Sequence, residues 1–362
     1  MAAISIIVPC HNVAAYLPKC LDSLINQTFR DIDIVTINNA STDDSLVILK
    51  KYAARDSRIK VLDTEIAGLA HARNIGLDNS DSEYVMFCDS DDWYSLEMCE
   101  IMYEAVTKSG ADVACCHAFL EDDEGLSPEE KRVRHDNEYY CQKMTGKHKL
   151  NSKLILKTNV MVWNKIWRRD LLKKHGLRFP EIKIHEDDCF WYMYTLNAKT
   201  IYYVNRQLYH YLLRPNSIMS RLTDKNNPQN KIKLEIAENV LDFAMRRQPV
   251  PWSIKKLVLE IFLDETRKTV PFLSETELRE YCESLNRRIA EKLQVPCRFV
   301  PMCGTITNLY TGRTEMELLW KQIQLKAHYI ANRLTGKKIS DRLRFKIEEN
   351  TARMEYTKKL RG

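Results

Sequence analysis

Tyr84-Val85-Met86-Phe87-Cys88-Asp89-Ser90-Asp91-Asp92-Trp93 changes character halfway, where five apolar residues run straight into three carboxylates within four positions. Its first half, Tyr84–Cys88, reads as a strand buried on both faces, as strands of parallel sheets do. Carboxylates as close as Asp89, Asp91 and Asp92 repel one another unless a positive group joins them. A divalent cation does so, and oxygen ligands suit Mg²⁺ or Mn²⁺, ions often shared with substrate phosphates. An acidic turn capping the next helix needs the same residue types. The position at the end of a buried strand favours the cation.

The same alternation extends in both directions. Ile4–Pro9, Asp31–Ile37, Arg58–Leu62 and Asp112–His117 are short strand-like runs. Helical spacing fills Ala14–Asn26, Asp44–Ala54, Gly68–Asn79 and Ser95–Ser109, with Leu17, Leu21, Leu24 and Ile25 on one face of the first and Ser41-Thr42-Asp43 capping the second. Strands alternating with such helices predict βαβ units and an α/β fold around a mostly parallel central sheet. Ligands bind such sheets beyond the carboxyl ends of the strands. The polar clusters Cys10-His11-Asn12, Asn38-Asn39 and Asp89–Asp92 fall there. Residues 121–136 read as a polar loop and 150–222 as mixed α/β. From Asp224 the pattern is helical only, with Ser274-Glu275-Thr276-Glu277 as a capping box. The predicted domains are 1–222 and a C-terminal helical module, 223–362.

Composition narrows the function classes. Apolar residues make up 44% and charged residues 29% of 362, the balance of a soluble globular protein. The N-terminus lacks a basic region and a cleavage site, and no run reaches ~18 apolar residues, so neither a signal peptide nor a membrane span is predicted. Eleven cysteines, an odd number with no C-x-x-C pair, predict buried reduced thiols of a cytoplasmic protein. The net charge of +6 is concentrated at the end, where residues 321–362 hold 12 Lys and Arg against 4 Asp and Glu. Such a basic helical end serves as a solvated face, as peripheral contact with an anionic membrane surface, or for self-association. No recognition motif accompanies it, so no nucleic-acid partner is expected.

Three further segments carry chemistry. His185-Glu186-Asp187-Asp188 is a second acidic cluster, followed by Phe190-Trp191-Tyr192. A carboxylate there suits a general base acting on a hydroxyl, and acids at a helix N-terminus look the same. Arg73, within Ala70–Gly76, and Arg214, after Tyr209-His210-Tyr211, offer the forked hydrogen bonds that grip a diphosphate.

In this order the pieces resemble the inverting glycosyltransferases of family 2, with the GT-A fold, of the kind that builds bacterial polysaccharide and lipooligosaccharide. The family's P-x-Y-N is Pro9-Cys10-His11-Asn12, and its C-L-x-S-x-x-x-Q-T is Cys20–Thr28. V-D-D-G-S-T-D is Ile37-Asn38-Asn39-Ala40-Ser41-Thr42-Asp43, and G-G-x-x-x-A-R-N-x-G is Ala67–Gly76. The D-S-D-D motif is Asp89–Asp92, the E-D base motif Glu186-Asp187, and Y-Y-x-x-x-R-x-N-S-I covers Tyr209–Ile218. The match runs over roughly residues 3–222.

The resemblance implies a nucleotide pocket lined by Pro9, His11, Asn12, Asn39, Arg73, Asp89 and Ser90. Asp91, with Asp89, would hold Mn²⁺ or Mg²⁺ on the diphosphate of a nucleotide-sugar donor, a UDP-sugar being favoured. Arg214 and Ser217 would face that diphosphate. Asp187, with Glu186 beside it, would deprotonate the hydroxyl of a glycan or lipid-linked acceptor at the cytoplasmic face of the inner membrane, with Asp188 as the other candidate base. Trp163, Asn164 and Lys165 match a W-N-K segment and would shape the acceptor side.

Three positions depart from the pattern: His11 replaces tyrosine, Asn38-Asn39 replace the paired acids, and Ala40 replaces glycine. An amide both donates and accepts where a carboxylate only accepts, which weakens the case for uracil. Alanine at position 40 argues against a left-handed turn. An alternative reading is a nucleotide- or glycan-binding module of the same fold that has lost turnover. A nucleotidyltransferase would need a glycine-rich loop after the first strand, where Pro9–Asn12 stand.

Overall fold

Ile4–Cys10 (β1) is buried along its whole length, as an apolar strand flanked by two parallel neighbours must be. In the computed structural model, described for residues 2–122, 144–182, 184–214, 233–246 and 250–269, it pairs in parallel with Ile32–Asn39 (β2) on one side and Tyr84–Phe87 (β4) on the other. Ile59–Thr64 (β3) adds to β2. Beyond β4 lie Lys165–Arg168 (β8), Val113–Asp122 (β6), Thr200–Leu213 (β9) and the short Trp93–Tyr94 (β5), giving the order β3-β2-β1-β4-β8-β6-β9-β5, with Gly146–Lys149 (β7) also on β9. Strands β1–β4, β6 and β9 run one way and β5, β7 and β8 the other, so the sheet is mostly parallel.

Helices Leu17–Ile25 (α1), Ser45–Ala53 (α2), Leu69–Asp78 (α3) and Met98–Ser109 (α4) supply the crossovers. Helix α1 buries Leu17, Cys20, Leu21 and Leu24, a stripe at helical spacing. Each of the three leucines contributes about 1.5–3 kcal/mol by leaving water. Helix α3 approaches β1 so closely that a Cβ on Gly76 would lie 2.3 Å from the Ile7 side chain. Helix α4 stops at Gly110, whose left-handed backbone ends it. Ser152–Lys157 (α5), Arg169–Lys174 (α6) and Glu186–Thr195 (α7) follow, then Lys233–Met245 (α8) and Trp252–Thr269 (α9). The two described stretches beyond Asp224 are therefore helical, as expected, and α8 packs on α7.

The chain divides into two units, Met1–Asp264 and Glu265–Gly362. The second lies almost wholly outside the described residues, as do Ser217, residues 123–136, the capping box at 274–277 and the basic end. Among the described residues no helix is long and apolar enough to cross a membrane, and the seven described cysteines are buried and unbridged.

Two expectations need correction. Glu121 and Asp122 belong to β6 and not to the polar loop, because β9 offers partners to its end (Glu121↔Leu212, Asp122↔Leu213). Ala40 does adopt the left-handed conformation, at φ 52°. Its N–H is tied to Thr64 O (2.9 Å) and its neighbours Ser41 and Thr42 to Asn12, so the surrounding bonds impose the turn. That backbone costs alanine about 1–2 kcal/mol, against about 0.4–1 kcal/mol of extra unfolded-state freedom for glycine. Ala40→Gly is accordingly expected to raise stability by about 0.5–1 kcal/mol in urea unfolding. A loss of stability would show that the turn is unstrained.

Candidate functional site

The carboxyl ends of β1 and β2 open side by side. Pro9 lies beyond the last β1–β4 pair, Ile7↔Phe87, so its missing N–H falls where β1 has only β2 beside it. The chain then turns through Asn12, at φ 53°, a conformation asparagine tolerates. Asn12 Oδ1 accepts from Thr42 N (2.8 Å), and Asn12 N donates to Ser41 Oγ (3.2 Å). His11 Nδ1 lies 2.6 Å from Asn39 O. Asp43 ties the same loop to helix α2, accepting from Ala14 N and Ser45 N. Asn39 Oδ1 accepts from Gly68 N (3.0 Å), and Asn38 Nδ2 donates to Asp63 Oδ1 (2.7 Å). Both asparagines are buried, and Asn38 Oδ1 has no partner. The two loops thus form one stitched rim, with Pro9, His11, Asn12 and Asn39 along it.

The three acids after β4 go to three different partners. Asp92 turns inward as a strut, accepting from Tyr209 Oη (2.6 Å) and Leu212 N (2.7 Å) of β9. Burial, then its neighbours Asp91 and Asp89, push its carboxyl well above the usual range. Asp91 accepts from Arg214 Nε at 2.6 Å, and Arg214 lies over the Tyr16 ring, 5.2 Å from its centroid. Burial works against the Arg214 charge, and Asp91 outweighs it. Asp89 accepts from Arg73 Nη2 at 2.9 Å. Ser90 between them is buried.

Arg73 is where distant parts of the sequence meet. Its side chain is 2% exposed. Besides Asp89, Nη1 donates to Glu186 Oε1 at 2.6 Å and to Asp187 Oδ1. Burial opposes its charge, but Asp187, Asp89 and Glu186 together hold its pKa above the ordinary value. The acids respond in turn: burial lifts Asp89 to about 6 and Glu186 to about 7, with Arg73 pulling both down. Glu186, Asp187 and Asp188 form the first turn of α7, where the helix N-terminus favours negative charge. His185 enters that turn at φ 64°.

The W-N-K segment is buried: Trp163 is 2% exposed, and Asn164 and Lys165 0%. Trp163 stacks on Tyr209 with centroids 4.2 Å apart. Lys165 Nζ donates to Asn159 O (2.6 Å), Met161 O (2.5 Å) and Asn164 Oδ1 (2.9 Å). The ammonium thereby folds residues 159–164 around itself, and that loop aims Val162 N at Asp187 Oδ2 (3.2 Å). The sequence-expected residues that come together are Asp89, Arg73, Glu186 and Asp187. Arg214 joins Asp91, while Trp163, Asn164 and Lys165 form the wall behind the base motif. The supporting partners Val162, Tyr209, Asp63 and Tyr16 were not singled out from the sequence, and only Tyr209 lay inside a quoted motif.

Among the described residues no three His, Cys, Asp or Glu side chains gather as a cation cage. Asp89 and Asp91 are two carboxylates with side chains 25% and 21% exposed. Two such ligands fit a Mg²⁺-like ion that takes its remaining oxygens from substrate phosphates and water.

The glycosyl transferase family 2 profile matches residues 5–176. The putative glycosyltransferase EpsH of Bacillus subtilis is 33% identical over 226 residues, 62% of this chain and 64% of that protein. The glycosyltransferase GlyA of Streptococcus pneumoniae is 34% identical over 229 residues, 61% of this chain and 32% of that protein. The chain thus spans less than two thirds of either relative. Among solved structures, Staphylococcus aureus TarS residues 1–349 in complex with UDP-GlcNAc shares the fold, with a TM-score of 0.61 at 21% identity over 85% of this chain and 91% of that one.

Lys165→Met keeps the volume but removes the donor shared by the buried Asn159 O and Asn164 Oδ1 and the part-buried Met161 O, a loss of about 1–3 kcal/mol for each buried acceptor. The expected loss is about 3 kcal/mol or more in urea unfolding. Unchanged stability would mean that the ammonium does not hold the 159–164 loop.

Proposed function

Because residues 5–176 match the glycosyl transferase family 2 profile, we propose that the protein transfers a sugar from a nucleotide-diphosphate donor to a hydroxyl of a glycan or lipid-linked glycan, with inversion. The observation that carries this reading is the meeting of the acid motif and the base motif on one buried guanidinium, at the carboxyl end of the sheet.

The nucleoside is assigned to the rim of His11, Asn12 and Asn39. Asn39 Oδ1 is already engaged by Gly68 N, so its amide N–H faces the base as a donor, which suits a carbonyl oxygen of uracil. The UDP-GlcNAc complex of TarS supports a UDP-sugar. Asp89 and Asp91 would hold Mn²⁺ or Mg²⁺, which when bound supplies charge neutralisation to the diphosphate. Arg214 leaves Asp91 for a phosphate oxygen as the donor arrives and grips the departing diphosphate.

Asp187 is the base. Its Oδ1 is held by Arg73 and its Oδ2 by Val162 N, which fixes the carboxylate plane and leaves a lone pair for the acceptor proton. Asp187 has the more exposed carboxylate, at 12% against 8% for Asp188. The acceptor oxygen loses its proton to Asp187 as it attacks the anomeric carbon. The bond from that carbon to the diphosphate breaks on the opposite face, so a single displacement inverts the centre. Residues 1–222 would carry this chemistry. Residues 223–362, with their basic end, would bring the enzyme to the cytoplasmic face of a membrane or to a second copy.

The test is thermal unfolding with UDP, GDP, CDP or dTDP, each with Mn²⁺ or chelator. A nucleotide at ~100 times its Kd adds roughly 2.7 kcal/mol. Stabilisation by UDP that requires the metal and disappears in Asp91→Ala is expected. Metal-dependent stabilisation that persists in Asp91→Ala would remove that residue from the metal site. No shift from any nucleotide would favour the glycan-binding module. Asp187→Asn is expected to keep the UDP shift and to lose at least about 100-fold in transfer. Near-parental transfer would move the base to Asp188.

A further inference from the structure

Arg73 sits in the middle of the site, and its fork is shared among three carboxylates. Its Nη2 faces Asp89 at the end of β4, and its Nη1 faces Glu186 and Asp187 at the start of α7, residues 113 and 114 positions away along the chain. The guanidinium carbon lies 5.4 Å from the Phe179 ring centroid, and Nε is buried without a partner. Helix α3 is fixed behind it by the contact of Gly76 with Ile7. Moving towards a nucleotide would make Arg73 strip the buried Glu186 and Asp187, and the partly exposed Asp89, of their shared counter-charge.

We infer that Arg73 is the positioning residue of the transfer reaction, setting the separation and orientation of the donor-side carboxylate Asp89 and the base Asp187 without itself binding the nucleotide. The inference rests on the transferase reading above and goes beyond it by giving Arg73 a role distinct from donor recognition. A planar guanidinium can bridge carboxylates on two elements, whereas an ammonium is a single point of charge on a flexible stem. Lysine therefore preserves the charge and loses the bridge. Val162 N would then be the remaining fixed contact on Asp187, and the carboxylate would swing about it.

Displacements of about 1 Å in a reacting group cost on the order of 100-fold in rate. Arg73→Lys is expected to lower kcat about 10- to 100-fold while the Kd for UDP changes less than about threefold. The readouts are UDP release from UDP-N-acetylglucosamine with Mg²⁺, and calorimetric titration with UDP and Mg²⁺. A purely structural role predicts a folded variant with kcat within about twofold of the parent, and a nucleotide-binding role predicts a Kd raised more than tenfold with kcat kept. Either result overturns the inference.

Should Arg73→Lys fail to fold, the parent protein still decides. In ¹⁵N-arginine NMR a clamped guanidinium gives separate, slowly exchanging Nη signals. Their persistence on addition of UDP and Mg²⁺ supports the inference, and their merging or transfer to a nucleotide contact refutes it. A parent that releases no UDP would count against the transferase reading, and the same spectra would still settle whether Arg73 stays clamped.

Discussion

Among the described residues, one buried guanidinium is shared by three carboxylates. Arg73 draws a β-strand terminus, a crossover helix and a helix N-terminus from three separated parts of the sequence to one point. Three carboxylates packed this closely, Glu186 and Asp187 buried and Asp89 partly exposed, would repel one another without it, and breaking a buried ion pair from one side costs about 3–5 kcal/mol. The cluster is also unbalanced, with one positive charge against three acids. Burial raises Asp89 and Glu186 in consequence. A site with that excess of negative charge is prepared for a further cation, and Arg214 on Asp91 provides one at its outer edge.

Around this point the site is built in shells of decreasing burial. Lys165 and Trp163 are sealed behind it and shape the loop that presents Val162 N to Asp187. Asp92 is spent on holding β9 to the β4 turn through Tyr209 and Leu212. Asp89 and Asp91 remain partly open at the mouth, and the rim of His11, Asn12 and Asn39 stands beside them. The acids thus divide: identical residues one or three positions apart either brace the sheet, as Asp92 does, or stay partly exposed beside an arginine, as Asp89 and Asp91 do.

Much of the fold was legible in the sequence because buried parallel strands are continuous apolar runs. The strands expected at Ile4–Pro9 and Tyr84–Cys88 differ from the observed ones by a single residue. The two-residue strand Trp93–Tyr94 left no periodic signal, and the polar end of β6 is a strand only because β9 lies beside it. Ala40 misled because local preference was overridden by loop-to-loop hydrogen bonds. Residue chemistry pointed to the acids and arginines, but their pairing did not follow from it. No local pattern says that Arg73 meets Asp187 and not a phosphate, or that Lys165, of a type almost always exposed, is sealed in the core.

The most direct measurement is a crystal structure with UDP-N-acetylglucosamine and Mn²⁺ bound. The expected result places the nucleoside between His11 and Asn39, the ion between Asp91 and the diphosphate, and the Asp187 carboxylate across the sugar's anomeric carbon from the diphosphate, with Arg73 still bridging Asp89 and Asp187. A donor seated away from this crevice, or an Arg73 side chain swung onto the nucleotide, would contradict it.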